Sequence, residues 1–527
     1  MKILISDKLA EEGVNILKEV KEFQVDCKYG ISAEELKGVI KDYDALIIRS
    51  GTTVTADILE AADQLKVIGR AGVGLDNVDL KAATKKGVVA MNTPGGNTTS
   101  TAEHTMSMIL ALSRNIPQAY KSMKEGKWDR GKFSGVELHG KTLGIVGLGR
   151  IGATVAKFAK SFGMKIIAFD PFLSVEVAEK KGVEVVELET LIKESDYITL
   201  HIPKSNETKN LISEKQLKMM KKTARLINCA RGGIINEADL AKALESKEIA
   251  GCALDVFEAE PLSPDSPLLK LDNCVVTPHL GASTSEAQIN VAIEVAECVR
   301  DALLGRGISN AANFPSVDAE TYKALEPYNN LATRLGKFAG QLLGGRISQL
   351  KITYSGEVNN YKVAPVTLSL VNGILRPILG DSVNFINAME IARERGIDIQ
   401  EIKSNKQGEF GNAVQAEIQT DKEKLTIVGT LSANNRPRVV KINDVYVEIE
   451  PDGYMLYINN NDKPGLVGAL GTILAQAKIN IAGISLSREA QDGVAVSVVT
   501  VDTPLSDETL KKLQETKDVL FIKQLKV

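Results

Sequence analysis

Histidine is scarce in this chain, with four in 527 residues, and there is a single tryptophan. The five cysteines, Cys27, Cys229, Cys252, Cys274 and Cys298, are odd in number, scattered, and never in a C-x-x-C spacing. That pattern points away from a disulfide framework and from a zinc site, and it fits a reducing, cytoplasmic compartment. Charge of either sign is not in excess: 64 Lys and Arg against 67 Asp and Glu leave a net −3. Neither nucleic acid nor a membrane surface is expected as a partner, and an anionic ligand must be held by locally placed Arg and Lys. No targeting segment is apparent at the N-terminus: "MKILISDKLAEEG" is short, is broken by Asp7, and reads as a first buried strand. Low-complexity segments are absent too.

What is present is alternation. The length implies several domains. Apolar runs "KILIS", "DALIIRS", "KVIGRAG" and "VVAMNT" alternate with helical stretches, the pattern of a parallel sheet with crossover helices. "TSTAEHTMSMILALSRNI" then predicts a long helix stopping near Pro117. A second series has strands "LGIVG", "KIIAFD", "YITLHI", "ARLINCA", "AGCALDV" and "CVVTPH", six runs that suffice for a second doubly wound sheet. The amphipathic "SEAQINVAIEVAECVRDALLG" can return the chain to the first lobe. From about 317 to 450 two helical stretches precede runs rich in β-formers, "QLKITYSG", "APVTLSLV", "KLTIVGTL" and "RVVKINDVYVEI". The last stretch reads β-α-β-β-α-β, a ferredoxin-like order. The expected class is therefore α/β, two Rossmann-like lobes followed by an α+β unit and a ferredoxin-like unit.

"GLGRIG" places Gly147, Gly149 and Gly152 in G-x-G-x-x-G spacing between a strand and a helix. In that context the glycines permit the turn, the approach of a pyrophosphate and close helix packing. Arg150 and Ile151 would offer backbone N–H groups to the anion. Asp170 ends the next strand, 18 residues beyond Gly152, where a carboxylate accepts from ribose hydroxyls and repels a 2′-phosphate. The cofactor expected is NAD rather than NADP.

The unusual polar residues follow strand ends, where open α/β sheets bind ligands: Arg231 in "NCARGG", Asp255 and Glu260 in "ALDVFEAEP", His279 in "TPHLGAST". Oxidising a secondary alcohol needs a base, a carboxylate to orient it, and a guanidinium for the substrate carboxylate; His279, Glu260 and Arg231 suit those tasks. Each has an ordinary alternative, as a hydrogen-bonded loop histidine, a solvated carboxylate or a helix cap. Of the other histidines, His104 reads as packed in a helix, His201 as a border of the cofactor site, and His139 as loop. In the first lobe Arg49 and Arg70 follow apolar strands, which suits a substrate with a phosphate besides its carboxylate; exposed rim arginines are the alternative.

"GLGRIG" with Asp170, "INCARGGIINE", "ALDVFEAEP" and "TPHLGAST" resemble the D-isomer-specific 2-hydroxyacid dehydrogenases. The N-terminal "IIRSGTTVT", "IGRAGVGLDNVD" and "NTPGGNTTSTAEH", with the whole C-terminal half, are similar to the long-form, phosphoglycerate-oxidising branch of that family. The resemblance implies Arg231, Glu260 and His279 as catalytic residues. It implies NAD contacts at Gly147, Gly149, Arg150, Ile151, Gly152, Asp170, Cys229, Ala230, Arg231, Asp255, His279, Leu280, Gly281 and Ala282. For the substrate, 3-phospho-D-glycerate, it implies Arg49, Ser50, Gly51, Gly74 and Asn97, with Arg130 of "KWDRGKF" reaching a neighbouring subunit's site. Val73 and Ile202 stand where some relatives carry Thr. The expected organisation is a substrate-binding lobe from 1–98 and 285–316, an NAD-binding lobe 99–284, an intervening domain 317–450 and an ACT domain 451–527. The ACT resemblance implies L-serine as effector at Asn460, Asp462 and Asn480, and the family implies a homotetramer. Arg436, Arg438 and Lys441 are candidates for an anion site in the intervening domain. Another 2-hydroxyacid dehydrogenase activity, such as hydroxypyruvate or glyoxylate reduction, and a non-enzymatic sensor of NAD(H) or amino acids are the rival expectations.

Overall fold

The computed structural model describes residues 1–173, 182–404, 410–488 and 493–527. The first lobe is a five-stranded, all-parallel sheet of β1 (Lys2–Ile5), β2 (Gln24–Cys27), β3 (Ala45–Ile48), β4 (Val67–Arg70) and β5 (Val89–Met91), in the order β2-β1-β3-β4-β5. β1 and β3 are buried apart from Lys2, because helices cover both faces. β2 is the strand that the apolar runs do not announce: it is the edge, its residues are half-exposed or exposed, and it needs no apolar run. The helix Ser285–Leu303 packs on this lobe. Val291, Ala292, Val295 and Val299 join the core of β1, β3 and β4.

The second lobe is a seven-stranded parallel sheet, ordered β12-β11-β10-β9-β6-β7-β8. Its strands are β6 (Thr142–Val146), β7 (Lys165–Phe169), β8 (Glu184–Val185), β9 (Tyr197–Leu200), β10 (Arg225–Asn228), β11 (Gly251–Leu254) and β12 (Cys274–Val276). The six expected strands are present; the seventh, β8, is a two-residue edge. The order reverses between β6 and β9, and a crevice opens there at the carboxyl ends of the strands. Between the lobes runs the helix Thr98–Ser113. It ends where Asn115 turns left-handed (φ 53°), and Pro117 sits in the first turn of a further helix, Ile116–Lys124. The proline thus starts a helix rather than stopping one, since its missing N–H costs nothing there.

The third unit is a six-stranded sheet, β14-β13-β15-β16-β17-β18, with two long helices on it. The strands are β13 (Ile347–Ser355), β14 (Asp398–Ser404), β15 (Ala413–Thr420), β16 (Lys424–Leu431), β17 (Pro437–Ile442) and β18 (Val445–Ile449). One expectation fails: "APVTLSLV" is not among the strands but opens the helix Ala364–Leu379. Every residue from Pro365 to Leu375 is buried, and the helix packs along its length on the helix Ala319–Leu342. A helix buried all round has no polar face, so its period is hidden and β-branched content misleads.

The last unit follows the expected order element by element. β19 (Tyr454–Asn461), helix Leu466–Gln476, β20 (Ile481–Arg488), β21 (Val494–Val501), helix Asp507–Gln514 and β22 (Val519–Lys526) form a β20-β21-β19-β22 antiparallel sheet. One face of it packs on its own helices through Leu456, Ile458 and Val499. The other face, with Met455, Tyr457 and Val498, enters the core of the third unit, where Phe338 meets Tyr457 edge-on at 6.3 Å between ring centres. The two C-terminal units therefore share one apolar core.

Candidate active site

His279 stands three residues past β12 in a left-handed conformation (φ 57°), uncommon for a residue with a Cβ. Its Nδ1 lies 2.7 Å from Glu260 Oε2, and the other carboxylate oxygen of Glu260 accepts the Phe257 N–H at 3.0 Å. A carboxylate only accepts, so Nδ1 carries the proton and Nε2 is left as the basic nitrogen. A cavity of about 580 Å³ opens beside the pair, lined by Phe257, Leu262, Leu269 and Pro278 among others.

Asp255 supports the same turn from beneath. It is 1% exposed, and it accepts the Thr277 hydroxyl at 2.6 Å, the Leu280 N–H at 2.7 Å and the Gly281 N–H at 2.8 Å. Burial pushes its carboxyl up, but the bonds from His104, Thr277 and Leu280 outweigh that and hold it below the usual carboxylate value. Leu280 is 40% exposed, and the Ala282 carbonyl accepts from Gln288. Cys229 is buried next to Asp255, and burial first, then that charge, pushes its thiol up to about 12. It is inert as a nucleophile.

Arg231 follows β10 on a turn set by Asn228, whose side chain accepts the Ala230 N–H and donates to the Arg231 carbonyl. Gly232 lets this turn approach the Phe257 carbonyl more closely than any side chain would allow, so the turns of Arg231 and Glu260 abut. The guanidinium reaches across to the first lobe: Nε is 3.1 Å from Asp76 Oδ2, and a Cβ at Gly74 would overlap Nη2. Arg70 lies within its electrostatic reach: burial, then Arg231, with Arg49 also contributing, lowers the Arg70 guanidinium to about 10, against the opposing charges of Asp76 and Asp7.

The first-lobe loop is built around two residues that the sequence reading passed over. Asp7 Oδ2 accepts the Arg49 N–H at 2.6 Å and the Thr52 N–H at 3.1 Å, and so shapes the turn with Ser50 and Gly51. Asn77 donates to the Arg49 and Thr52 carbonyls and accepts Arg70 Nε at 2.9 Å. The signal was there in "LISD" and "GLDN", polar residues just beyond apolar strands. Asn97 precedes the helix Thr98–Ser113, and its Oδ1 is buried without a hydrogen-bond partner. Arg130 lies in an exposed turn beside Trp128, which is 80% exposed; among the described residues no hydrogen bond or ion pair ties it to the cleft of its own chain.

The glycine turn after β6 has the shape a dinucleotide needs. Gly147 is left-handed (φ 93°), and a Cβ there would come 2.6 Å from the His201 carbonyl. A Cβ on Gly152 would overlap the Gly147 carbonyl, whereas one on Gly149 would meet nothing within 4 Å. The open side is therefore at Gly149, where the helix Arg150–Ser161 begins without a side-chain cap and presents free N–H groups. Ile151 packs partly into the core of this lobe. Asp170 accepts the Leu148 N–H at 2.9 Å and the Phe172 N–H at 3.0 Å, one on each oxygen, and keeps lone pairs for hydroxyl donors. His201 lies under this turn, bonded to Thr199 at 2.9 Å, and burial lowers it to about 4. It is neutral and takes no proton at working pH.

The structure brings two of the three effector candidates together. Asn460 and Asp462 line a cavity of about 350 Å³ in the last unit, with Arg488 and Ser497, which the sequence reading missed. Ser497 donates to Asn460 Oδ1 at 3.0 Å, and Arg488 pairs with Asp462 at 2.6 Å. Asn480 does not join them in the same chain: it stands before β20 and donates to Asp502 at 2.8 Å. In the third unit Arg438 pairs with Glu450 at 2.9 Å, and Lys441 sits 4.8 Å over the Tyr446 ring.

Three family models match the chain: the D-isomer specific 2-hydroxyacid dehydrogenase NAD binding domain at residues 106–281, the D-3-phosphoglycerate dehydrogenase intervening domain at 324–443, and the ACT domain at 454–518. D-3-phosphoglycerate dehydrogenase of Methanocaldococcus jannaschii is 44% identical over 99% of both chains, and that of Synechocystis is 43% identical over 98% of this chain and 93% of its own. Among solved structures, a glyoxylate reductase from Paecilomyes thermophila (28% identical, TM-score 0.55) covers 59% of this chain and 98% of its own. An NAD-dependent formate dehydrogenase from Staphylococcus aureus in complex with NAD (30%, TM-score 0.53) has the same coverage.

Proposed function

The chain belongs to the D-3-phosphoglycerate dehydrogenases, and from that premise we propose that it oxidises 3-phospho-D-glycerate to 3-phosphooxypyruvate with NAD. The observation that carries this reading is the Glu260–His279 pair at 2.7 Å beyond the strand ends of the second lobe, the sheet that also bears the glycine cradle and Arg231, which faces Arg70 of the first lobe. His279 Nε2 takes the proton of the substrate hydroxyl. Glu260, bonded to Nδ1–H, stabilises the imidazolium that results. Arg231 leaves Asp76 to hold the substrate carboxylate and polarise the developing carbonyl with two parallel hydrogen bonds. Arg49 and Arg70 offset the phosphate charge. The hydride of the carbinol carbon leaves as its hydroxyl loses the proton, and NAD, when bound, would supply the acceptor for it. Asp170 and the free N–H groups after Gly149 would hold its ribose and pyrophosphate. The rival enzyme activities, reductions of glyoxylate or hydroxypyruvate, leave the Arg49–Arg70 charge without a phosphate to meet. The product belongs to the route to L-serine.

L-serine is the effector of this reading, held at Asn460 and Asp462, with Asn480 supplied by a second copy. The exposed stripe Ile116, Tyr120 and Met123 (53%, 63% and 53%), spaced along one helix face, supports self-association as a homotetramer that brings Arg130 to a neighbour's cleft. The test is to supply NAD with 3-phosphoglycerate, follow NADH, and add L-serine. NADH formation slowed by serine is the expected result. Turnover of glyoxylate alone, or no turnover, would overturn the reading.

A further inference from the structure

His104 was expected to be a packed helix residue, yet its side chain is turned to the turn that carries His279. Its Nε2 lies 3.1 Å from Asp255 Oδ1 and 3.3 Å from Thr277 Oγ1. The Thr277 hydroxyl gives its own proton to Asp255, so it accepts from His104, and Nε2 carries the proton. Asp255 takes donors from the Thr277 hydroxyl and from the Leu280 and Gly281 backbone, and the His104 ring, close to the same carboxylate, donates to the Thr277 hydroxyl. The three donors to Asp255 belong to the turn itself, whereas His104 is anchored on a different element, the helix Thr98–Ser113. A second tie runs the same way, because Ser100 of that helix donates to the Gly281 carbonyl at 2.9 Å. The turn holds His279 at φ 57°, a conformation that persists in a non-glycine residue when the surroundings impose it.

We propose that His104 is a positioning residue for hydride transfer. Its Nε2–H, donated to the Thr277 hydroxyl beside the buried Asp255 carboxylate, fixes that hydroxyl on Asp255 Oδ1. Through Asp255 it holds the turn Thr277–Gly281, and with it the orientation of His279 and the Leu280–Gly281 backbone on the cofactor side of the cleft. The molecule then has two imidazole–carboxylate pairs on one turn: Glu260–His279 for the proton, and His104–Asp255 for the geometry. This rests on the dinucleotide reading of the cradle.

The test compares H104Q, H104N and H104L in the full-length protein. The Gln amide N–H extends about as far from the backbone as Nε2; the Asn amide stops short, and Leu has no donor. NADH dissociation constants are measured by fluorescence titration, separately from kcat and from KM for 3-phosphoglycerate. H104N and H104L are expected to weaken NADH binding and lower kcat by about tenfold each, the effect of leaving one half-buried hydroxyl oxygen without its donor. KM for 3-phosphoglycerate should stay within about threefold, and H104Q should recover most of the loss. A packing role alone would be served better by Leu than by Gln. A folded H104L with wild-type NADH affinity and kcat would overturn the proposal, as would a folded H104Q as impaired as H104N. If H104L does not fold, the Gln and Asn variants decide between the same outcomes. If the wild-type enzyme binds NADH but does not oxidise phosphoglycerate, the substrate reading fails while the NADH titrations still judge His104.

Discussion

Replacing Glu260 with Gln isolates the charge of the pair while keeping its shape. The carboxylate lies 2.7 Å from His279 Nδ1, and in the proposed reaction it stabilises the imidazolium formed as the hydroxyl proton is taken. Two unit charges about 4 Å apart interact by about 1 kcal/mol in bulk water and about 4 kcal/mol at the effective dielectric of a protein surface. The side chains of His279 and Glu260 are 48% and 38% exposed, so screening places the value between those limits, at about 2 kcal/mol. A second effect has the same sign. The Gln carbonyl is needed by the Phe257 N–H, so the amide N–H turns toward His279 and favours the tautomer with its proton on Nε2, the wrong one for a base. Together these predict a fall in kcat of about 10². NADH affinity should stay within about twofold, because Glu260 is not part of the glycine cradle. Steady-state NADH formation and a separate NADH titration give both numbers. A folded E260Q enzyme with kcat within about threefold of wild type would refute the assignment of Glu260 as the partner of the base.

Gly74→Ala should raise KM for 3-phosphoglycerate about tenfold, since the added methyl overlaps the Arg231 guanidinium; Tm should move by less than about 3 °C because the site is at the cleft surface. Asp255 has a carboxyl held below its ordinary 3.8, so its stabilising effect is present above that pH and is lost as pH falls below it. Thermal unfolding of wild type should therefore steepen below about pH 4, and Asp255→Asn should lack that added dependence while being less stable at neutral pH. Arg130→Ala should raise KM for 3-phosphoglycerate and leave KM for NAD unchanged; unchanged kinetics would remove Arg130 from the neighbour's cleft.

The sequence was most legible where function forces residue types into short windows. "GLGRIG" announces a turn because only glycine tolerates a left-handed Gly147 and the overlap that any Cβ at Gly152 would make. Glu260 and His279 could be named from chemistry, but their pairing spans 19 residues of chain, and nothing local states it. It is the parallel register of β11 and β12, Cys252 opposite Cys274, that brings the two strand ends side by side. Where burial is uniform the reading failed. The helix Ala364–Leu379 is buried on every face from Pro365 to Leu375 and passed for strand, while β2 and β14 are edges too polar to signal.

By itself, then, the sequence determined the order of units and the dinucleotide turn, and it named His279, Glu260 and Arg231 as candidates, because each follows from local periodicity or side-chain chemistry. Only the tertiary structure decided that Arg231 spans the cleft to Asp76, and that Asp7 and Asn77 shape the substrate loop. It also decided that His104 shares Asp255 with the turn of His279, and that Asn480 stands apart from Asn460 in a single chain. Such contacts are closed by packing between elements distant in the chain, and polar partners 42, 155 or 151 residues apart leave no trace in spacing.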